Sequence, residues 1–312
     1  MDKQNETELF IAKPTEGTVI GDNAYADNQN LVNVRIAEGV TEIGACAFYG
    51  CTGLISIVIP DSVTKIGENA FEGCTGLASL VLPDSVTIIE DHAFFDCSRL
   101  TNLVLPKNIQ QIGYEAFAGC TGLTSLVLPD CDPFVAYAAF EGCTGLTSIV
   151  IPSSVTRIWS EEFADCTGLT SITIPDSVTD IGDFAFSCCS GLTSVTIPNS
   201  VTDIAISAFA SCTGLASIII PDSVTKIWDS AFARCTGLTS ITIPESMTII
   251  EAETFKGCTG LTSVTIPDSV TKIERSAFAG GTSLKCVDVP ANAVIDDSAF
   301  AKTTEIRRRA RN

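Results

Sequence analysis

The chain has 312 residues and a mass of 32.8 kDa, with 46% apolar and 18% charged residues and a mean hydropathy of +0.34, a balance that excludes disorder for its bulk and demands a large core. Eighteen Lys and Arg against thirty-seven Asp and Glu leave a charge of −19, and because residues 301–312 hold five of the cations, residues 1–300 carry 13 basic against 36 acidic side chains, a net of −23. A body this acidic repels nucleic acid and anionic lipid, and one His, two Met and two Trp in the whole chain leave most catalytic and metal-binding constellations without their parts.

Residues 1–17 precede the regular part of the chain and read as an N-terminal tail or cap. The start, Met1-Asp-Lys-Gln-Asn-Glu, has no apolar signal region, and the apolar runs never approach the ~18 residues that cross a bilayer. No retained signal peptide and no membrane insertion are expected. From Thr18 onward a period of 23 residues governs the chain: Phe48, Phe71, Phe94, Phe117, Phe140, Phe163, Phe186, Phe209, Phe232, Phe255 and Phe278 are spaced by 23, Tyr25 extends the series upstream, and Phe300 follows after a slip of one residue. Twelve units result. They occupy 18–300, and 301–312, with Lys302, Arg307, Arg308, Arg309 and Arg311, reads as a basic C-terminal tail.

One unit shows the pattern: Phe48, Cys51, Leu54, Ile57, Ile59, Pro60, Val63, Ile66, Ala70. The end of Leu-x-x-Ile-x-Ile alternates with period 2, the mark of a half-buried strand, one per coil. Pro follows and, lacking an N–H, ends the pairing between coils. Val63 and Ile66 bring the chain back inward, and Ala70, Phe71 and Cys74 suggest a helical turn too short for an α-helix. No coil can bury its apolar face alone, so stability arises between neighbours. The fold class expected is mainly β, a solenoid with a parallel strand ladder and short turns or 3-10 helices elsewhere.

The run Phe-x-x-Cys-x-x-Leu-x-x-Ile-x-Ile-Pro-x-x-Val-x-x-Ile-Gly-x-x-Ala, as in Phe163 to Ala185, resembles the BspA-type leucine-rich repeat of bacterial and protist surface proteins. The resemblance implies a curved right-handed solenoid with the ladder on its concave face, and adhesion to proteins, cells or matrix at a cell surface. It covers 18–300.

Five features stand out as candidate sites. The ladder Cys51, Cys74, Cys97, Cys120, Cys143, Cys166, Cys189, Cys212, Cys235 and Cys258 does not converge as zinc ligands must, and stacked Cβ atoms one strand spacing apart are too distant for disulfides, so buried free thiols are expected and no metal. Cys46, Cys131, Cys188 and Cys286 lie off the ladder, with vicinal Cys188 and Cys189 pointing apart. An acidic column, Glu38, Asp61, Asp84, Asp130, Asp176, Asp222, Glu245 and Asp268, is either turn chemistry, each Asp bonding the backbone of its own Pro-Asp-Ser-Val turn, or a stripe for cations or a basic partner. The outward strand places carry Thr, Ser and Val, a hydroxyl-rich face suited to a glycan or an extended peptide and equally to β-propensity. Finally, four aromatics break the consensus on neighbouring coils: Tyr114, Phe134, Tyr137 and Trp159. Exposed aromatics of this kind are what a protein-binding hot spot requires. Trp228, at the place of Trp159 three units on, argues for packing instead.

His92 has no fixed partner in the sequence, and neither a Gly-x-Ser-x-Gly nor a Gly-Lys-Thr loop occurs. No enzyme and no cofactor are expected. The function expected is a non-enzymatic interaction or adhesion module that binds a protein or glycan ligand through the solenoid surface; the alternative is an intracellular structural or regulatory scaffold.

Overall fold

The computed structural model describes residues 9–15, 17–131 and 133–310. The chain divides into two units, Met1–Leu146 and Thr147–Asn312. Each is a β-solenoid whose successive coils pair in parallel, and no helix occurs among the described residues. In the first unit the strands Leu9–Ala12, Asn33–Ile36, Ser56–Val58, Ser79–Val81 and Asn102–Val104 form a five-stranded parallel sheet. Within Ser56–Val58 the alternation works as the period-2 pattern requires: Ile57 is buried and Val58 is exposed.

A second ladder runs beside the first. Val19–Ile20, Glu42–Ile43, Lys65–Ile66, Ile88–Ile89, Gln111–Ile112 and Phe134–Val135 form a six-stranded parallel sheet of two-residue strands. The sequence predicts one strand per coil, and most coils have two. The difference is physical: a strand of two residues offers a single inward side chain, such as Ile66, and no alternation to read. The second unit repeats the scheme, with Arg157–Ile158, Asp180–Ile181, Asp203–Ile204 and Lys226–Ile227 in one four-stranded sheet and Ile249–Ile250, Lys272–Ile273 and Val294–Ile295 in another.

The corner around each Phe also differs from the short helical turn expected. In the coil of Phe71 the N–H groups of Ala70, Glu72 and Cys74 close turns onto Gly67, Asn69 and Phe71 at 3.2, 3.1 and 3.1 Å, whereas the N–H groups of Asn69, Phe71 and Gly73 donate to Asp91, Ala93 and Phe95 of the next coil at 2.9, 2.8 and 2.8 Å. A 3-10 helix would keep every N–H within its own coil. Left-handed residues at Asn69 (φ 56°) and Gly73 (φ 68°) turn alternate peptides outward instead, and the corresponding places in other coils hold Cys46, His92, Glu115 and Ala138, also with positive φ. Elsewhere on the coil the donors run the opposite way: the N–H groups of Thr64 and Gly67 bond Thr41 and Ile43 of the preceding coil at 2.9 and 2.8 Å.

The aromatic column is the core. In the first unit Tyr25, Phe48, Phe71, Phe94, Phe117 and Phe140 stack with centroids 5.1 to 5.5 Å apart, and in the second Phe163 to Phe300 stack at 5.0 to 5.7 Å. Ala precedes most of these Phe residues because that place faces the core, as at fully buried Ala47, Ala70, Ala93 and Ala116. Described segments near both ends of the chain pair into the stack as well. Leu9–Ala12 pairs with Asn33–Ile36. Glu305–Arg308, within the stretch read as a basic tail, forms a parallel strand on Cys286–Val289, and Arg308 Nη1 donates to the carbonyls of Ala291 and Ala293 at 3.1 and 2.9 Å. Arg309 meets an acidic neighbour, Asp268, at 3.1 Å.

Candidate functional site

The ladder cysteines are buried and unpaired with one another. Thiols of the ladder point along the stack at the carbonyl of a core aromatic in the preceding coil: Cys51 to Tyr25 at 3.1 Å, Cys97 to Phe71 at 3.3 Å, Cys143 to Phe117 at 3.4 Å, Cys258 to Phe232 at 3.1 Å. Burial pushes these thiols up, to about 12 at Cys143, Cys189 and Cys258. They are therefore protonated donors. Among the described residues no group of three His, Cys, Asp or Glu is placed to hold a metal ion. Of the remaining cysteines, Cys188 is half-buried beside buried Cys189, and Cys286 is exposed on its strand. Cys46 is held above the ordinary thiol range by partial burial first and by Glu72, Glu68 and Asp22 next.

Asp61, Asp84, Asp130, Asp176, Asp222, Glu245 and Asp268 are all exposed. The turn of Asp61 is closed by the backbone, Val63 N–H to Pro60 at 3.1 Å, and two of the carboxylates reach the next coil rather than their own turn: Lys107 N–H donates to Asp84 at 3.2 Å and Glu245 N–H to Asp222 at 3.4 Å. The reason is reach. At one strand spacing the neighbouring N–H lies beside the carboxylate, while its own turn has already used its donor. The Ser of Pro-Asp-Ser-Val acts across coils as well, Ser85 Oγ donating to Val63 at 2.7 Å and Ser177 Oγ to Val155 at 2.7 Å.

The four predicted aromatics are distributed over both units. In the first, Tyr114 and Tyr137 are in ring contact, 5.0 Å between centroids at 47°. His92, which the sequence leaves without a partner, extends this row: it meets Tyr114 edge-on at 5.1 Å and Phe95 at 5.7 Å, and its Nε2 lies 3.3 Å from Glu115 Oε2. Tyr137 is 49% exposed and Phe134 55%. Phe134 sits on the short-strand ladder beside Gln111. The Tyr114 hydroxyl is held well above the ordinary phenol range, first by its hydrogen bond to Glu115 and then by burial. Trp159 belongs to the second unit, where the Arg157 guanidinium carbon lies 5.1 Å from its ring centroid. Trp228 is 38% exposed with Lys226 Nζ 3.4 Å above its ring, so it is a surface platform rather than a packing residue.

Sequence reasoning missed His92 and Glu115 as partners of the tyrosines, and it missed Glu162. That carboxylate is only 2% exposed in the place held by buried Ala in most coils and by buried Thr254 in one. It accepts the Trp159 N–H at 2.8 Å, and burial pushes it up to about 8. The broken Ala column was the available signal.

The model of the BspA type leucine rich repeat region matches residues 18–146, 133–236 and 185–307. The chain belongs to the BspA-type leucine-rich repeat family. Among solved structures, this BspA-type chain is similar to a leucine-rich repeat protein from Bacteroides ovatus, with 27% identity, 99% of this chain and 94% of that one covered, and a TM-score of 0.65. A leucine rich cell surface protein from Faecalibacterium prausnitzii is 31% identical over 94% of this chain and 83% of its own, with a TM-score of 0.57. The pneumococcal vaccine antigen PcpA shares the fold at 18% identity, covering 100% of this chain and 91% of its own with a TM-score of 0.65. No curated protein matches.

Proposed function

We propose that this chain is a non-enzymatic adhesion module that binds a protein partner at a cell surface, and that the row Phe95, His92, Tyr114 and Tyr137 with nearby-strand Phe134 supplies the contact. The supporting observation is the Tyr114–Tyr137 contact at 5.0 Å with Tyr137 half-exposed, in a chain whose other coils are near-copies. Large rigid rings backed by neighbours bury much area on binding at little entropy cost. The surface location is supported by the cell surface protein of F. prausnitzii, the likeness at 31% identity. Binding of the labelled full chain to epithelial cells and to immobilised matrix proteins tests the reading: Tyr114→Ala with Tyr137→Ala loses the binding and keeps the fold, whereas undiminished binding by that variant overturns the assignment.

Fourteen cysteines with no disulfide among them favour a second reading, an intracellular scaffold, because disulfide-free, cysteine-rich chains suit a reducing compartment. Fractionation of the native cells, with the chain detected in the cytosol and absent from the surface, selects it.

A further inference from the structure

The short-strand ladder of the second unit carries a constellation that nothing in the repeat requires. Arg157 and Asp180 are register partners, as are Asp203 and Lys226, and Ile181 beside Ile204 joins the two pairs. A row of cation, acid, acid, cation results. Two residues farther along the same four coils stand Trp159, Gly182, Ala205 and Trp228. A groove of about 410 Å³ lies between the tryptophans, with Gly182 and Ala205 in its lining and Asp180 and Asp203 beside them. Trp159 and Trp228 are the only tryptophans in the chain, and each is covered by the cation of its own coil, Arg157 at 5.1 Å and Lys226 at 3.4 Å. Where the same place holds Glu274, the strand cation Lys272 forms an ordinary ion pair with it at 2.5 Å. The Trp coils thus add an aromatic platform at both ends of one groove, while their cations also pair with carboxylates of the next coil, Arg157 with Asp180 and Lys226 with Glu251, both at 3.6 Å.

The charges select the guest. A polycation entering the groove meets Arg157 in its lining and Lys226 above Trp228 at its edge, and a polyanion meets Asp180, Asp183 and Asp203. The carboxylates are also held in place: Thr179 Oγ1 donates to Asp180 at 2.7 Å, Thr202 Oγ1 to Asp203 at 2.7 Å, and Ile206 N–H to Asp183 at 3.0 Å. A neutral guest with many hydroxyls suits such a mixture, since a hydroxyl both donates to carboxylates and accepts from guanidinium and ammonium. Its flat C–H faces suit the electron-rich faces of Trp. Coils repeat at ~4.8 Å, so the three steps from Trp159 to Trp228 span roughly 14 Å, and one coil step is close to the length of one pyranose ring. We propose that this groove binds a neutral oligosaccharide, its outer rings stacked on Trp159 and Trp228 and its inner hydroxyls bonded to Asp180 and Asp203.

Because both tryptophans line the site, fluorescence excited at the red edge of tryptophan absorption, where the four tyrosines do not absorb, reports on it alone. The probes are gluco-, manno- and chito-oligosaccharides from trimer to hexamer, titrated to millimolar concentration. The expected result is a saturable emission change with at least one of them, rising in affinity with length up to the tetramer. Trp228→Ala weakens it by about tenfold or more, a loss of ~1.4 kcal/mol, and Trp228→Phe restores part of it. Ala205→Phe removes no contact and fills the groove, so it blocks binding even if a Trp variant misfolds. Tyr114→Ala with Tyr137→Ala leaves the titration unchanged, which separates this site from the protein-binding row. The proposal is overturned if no saccharide changes the emission, or if Ala205→Phe binds as well as the parent chain. It is equally overturned if only a lysine-rich peptide titrates the site, with strong salt dependence, which makes the groove a cationic-peptide site.

Discussion

The Cys74 thiol donates to the Phe48 carbonyl oxygen in the preceding coil at 3.2 Å, and the same oxygen accepts the Cys51 N–H of its own coil at 3.2 Å. One carbonyl therefore ties a turn to itself and to the coil that follows. This accounts for Cys at a place where an apolar residue of similar size would fill the space and leave a lone pair of the buried oxygen unused. At Cys97, replacement by Ser keeps the bond and replacement by Val overpacks the place, so urea unfolding should show Cys97→Val as the more destabilised of the two, by about 1 kcal/mol or more.

The same thiols predict an alkaline transition. Their folded pKa values lie above the ordinary value, at about 12 for Cys143, Cys189 and Cys258, so the folded chain keeps protons that the unfolded chain releases. Stability is then intact below the ordinary thiol pKa of ~8.5 and falls as pH rises above it, by up to ~1.4 kcal/mol per pH unit for each such thiol. Unfolding midpoints between pH 7 and 10 should drop steeply, and alkylation followed by mass spectrometry at neutral pH should label exposed Cys286 before any ladder cysteine. Early labelling of Cys97 would sink this account.

Glu162 predicts a second pH window with the same sign. Its carboxyl is pushed up to about 8 from an ordinary value of ~4.3, so the folded chain binds a proton over that interval which the unfolded chain does not, and stability falls with rising pH across it at up to ~1.4 kcal/mol per unit. Glu162→Gln retains an acceptor for the Trp159 N–H and carries no charge. Melting curves from pH 5 to 8 should therefore be flatter for the variant, with its largest gain at pH 8. Parallel curves would show that Glu162 keeps an ordinary pKa.

The tyrosine row and the acidic column predict different binding signatures. Tyr114→Ala with Tyr137→Ala should cost about 2 kcal/mol of partner affinity with little change in melting temperature. Asp176→Asn with Asp222→Asn should instead alter affinity only in a salt-dependent way. Affinity that ignores the tyrosines and follows the acids, measured by titration at two salt concentrations, makes the chain an electrostatic binder.

Backbone conformation at the corners gives a further test. Ala138 is fully buried with φ 62°, a left-handed state that costs an L residue roughly 1 kcal/mol, so Ala138→Gly should stabilise by up to about that amount. Gly73→Ala should do the reverse by a similar amount, because an added Cβ there finds ordinary contact at 3.7 Å and only the φ of 68° is unfavourable. Equal effects of the same sign from both changes would exclude backbone strain as the cause.

The Phe and Cys columns and the longer strands could be read from the sequence because each rests on one residue type recurring at one spacing. Lys65–Ile66 and its kin could not, since two residues carry no period. The left-handed corners were hidden because Asn69, His92, Glu115 and Ala138 share no chemistry; the backbone is set there by Phe burial on one side and inter-coil bonds on the other. The acidic column was legible as a column but not in its bonding, which depends on the distance between coils. Trp159 and Trp228 were visible individually. Their meaning depends on Gly182 and Ala205 between them, which are unremarkable residues until four coils are laid side by side.

The opposed senses of the inter-coil hydrogen bonds bear on how such a chain grows. An α-helix aligns its peptides and accumulates a macrodipole as it lengthens. Here the Phe48 N–H points forward to Ala70 while the Thr64 N–H points back to Thr41, so peptide dipoles on the two sides of a coil offset one another. Adding a coil adds buried area and hydrogen bonds with little field along the stack. Tandem duplication of a 23-residue unit is then electrostatically neutral with respect to the backbone, and the number of coils is free to be set by the reach that binding requires.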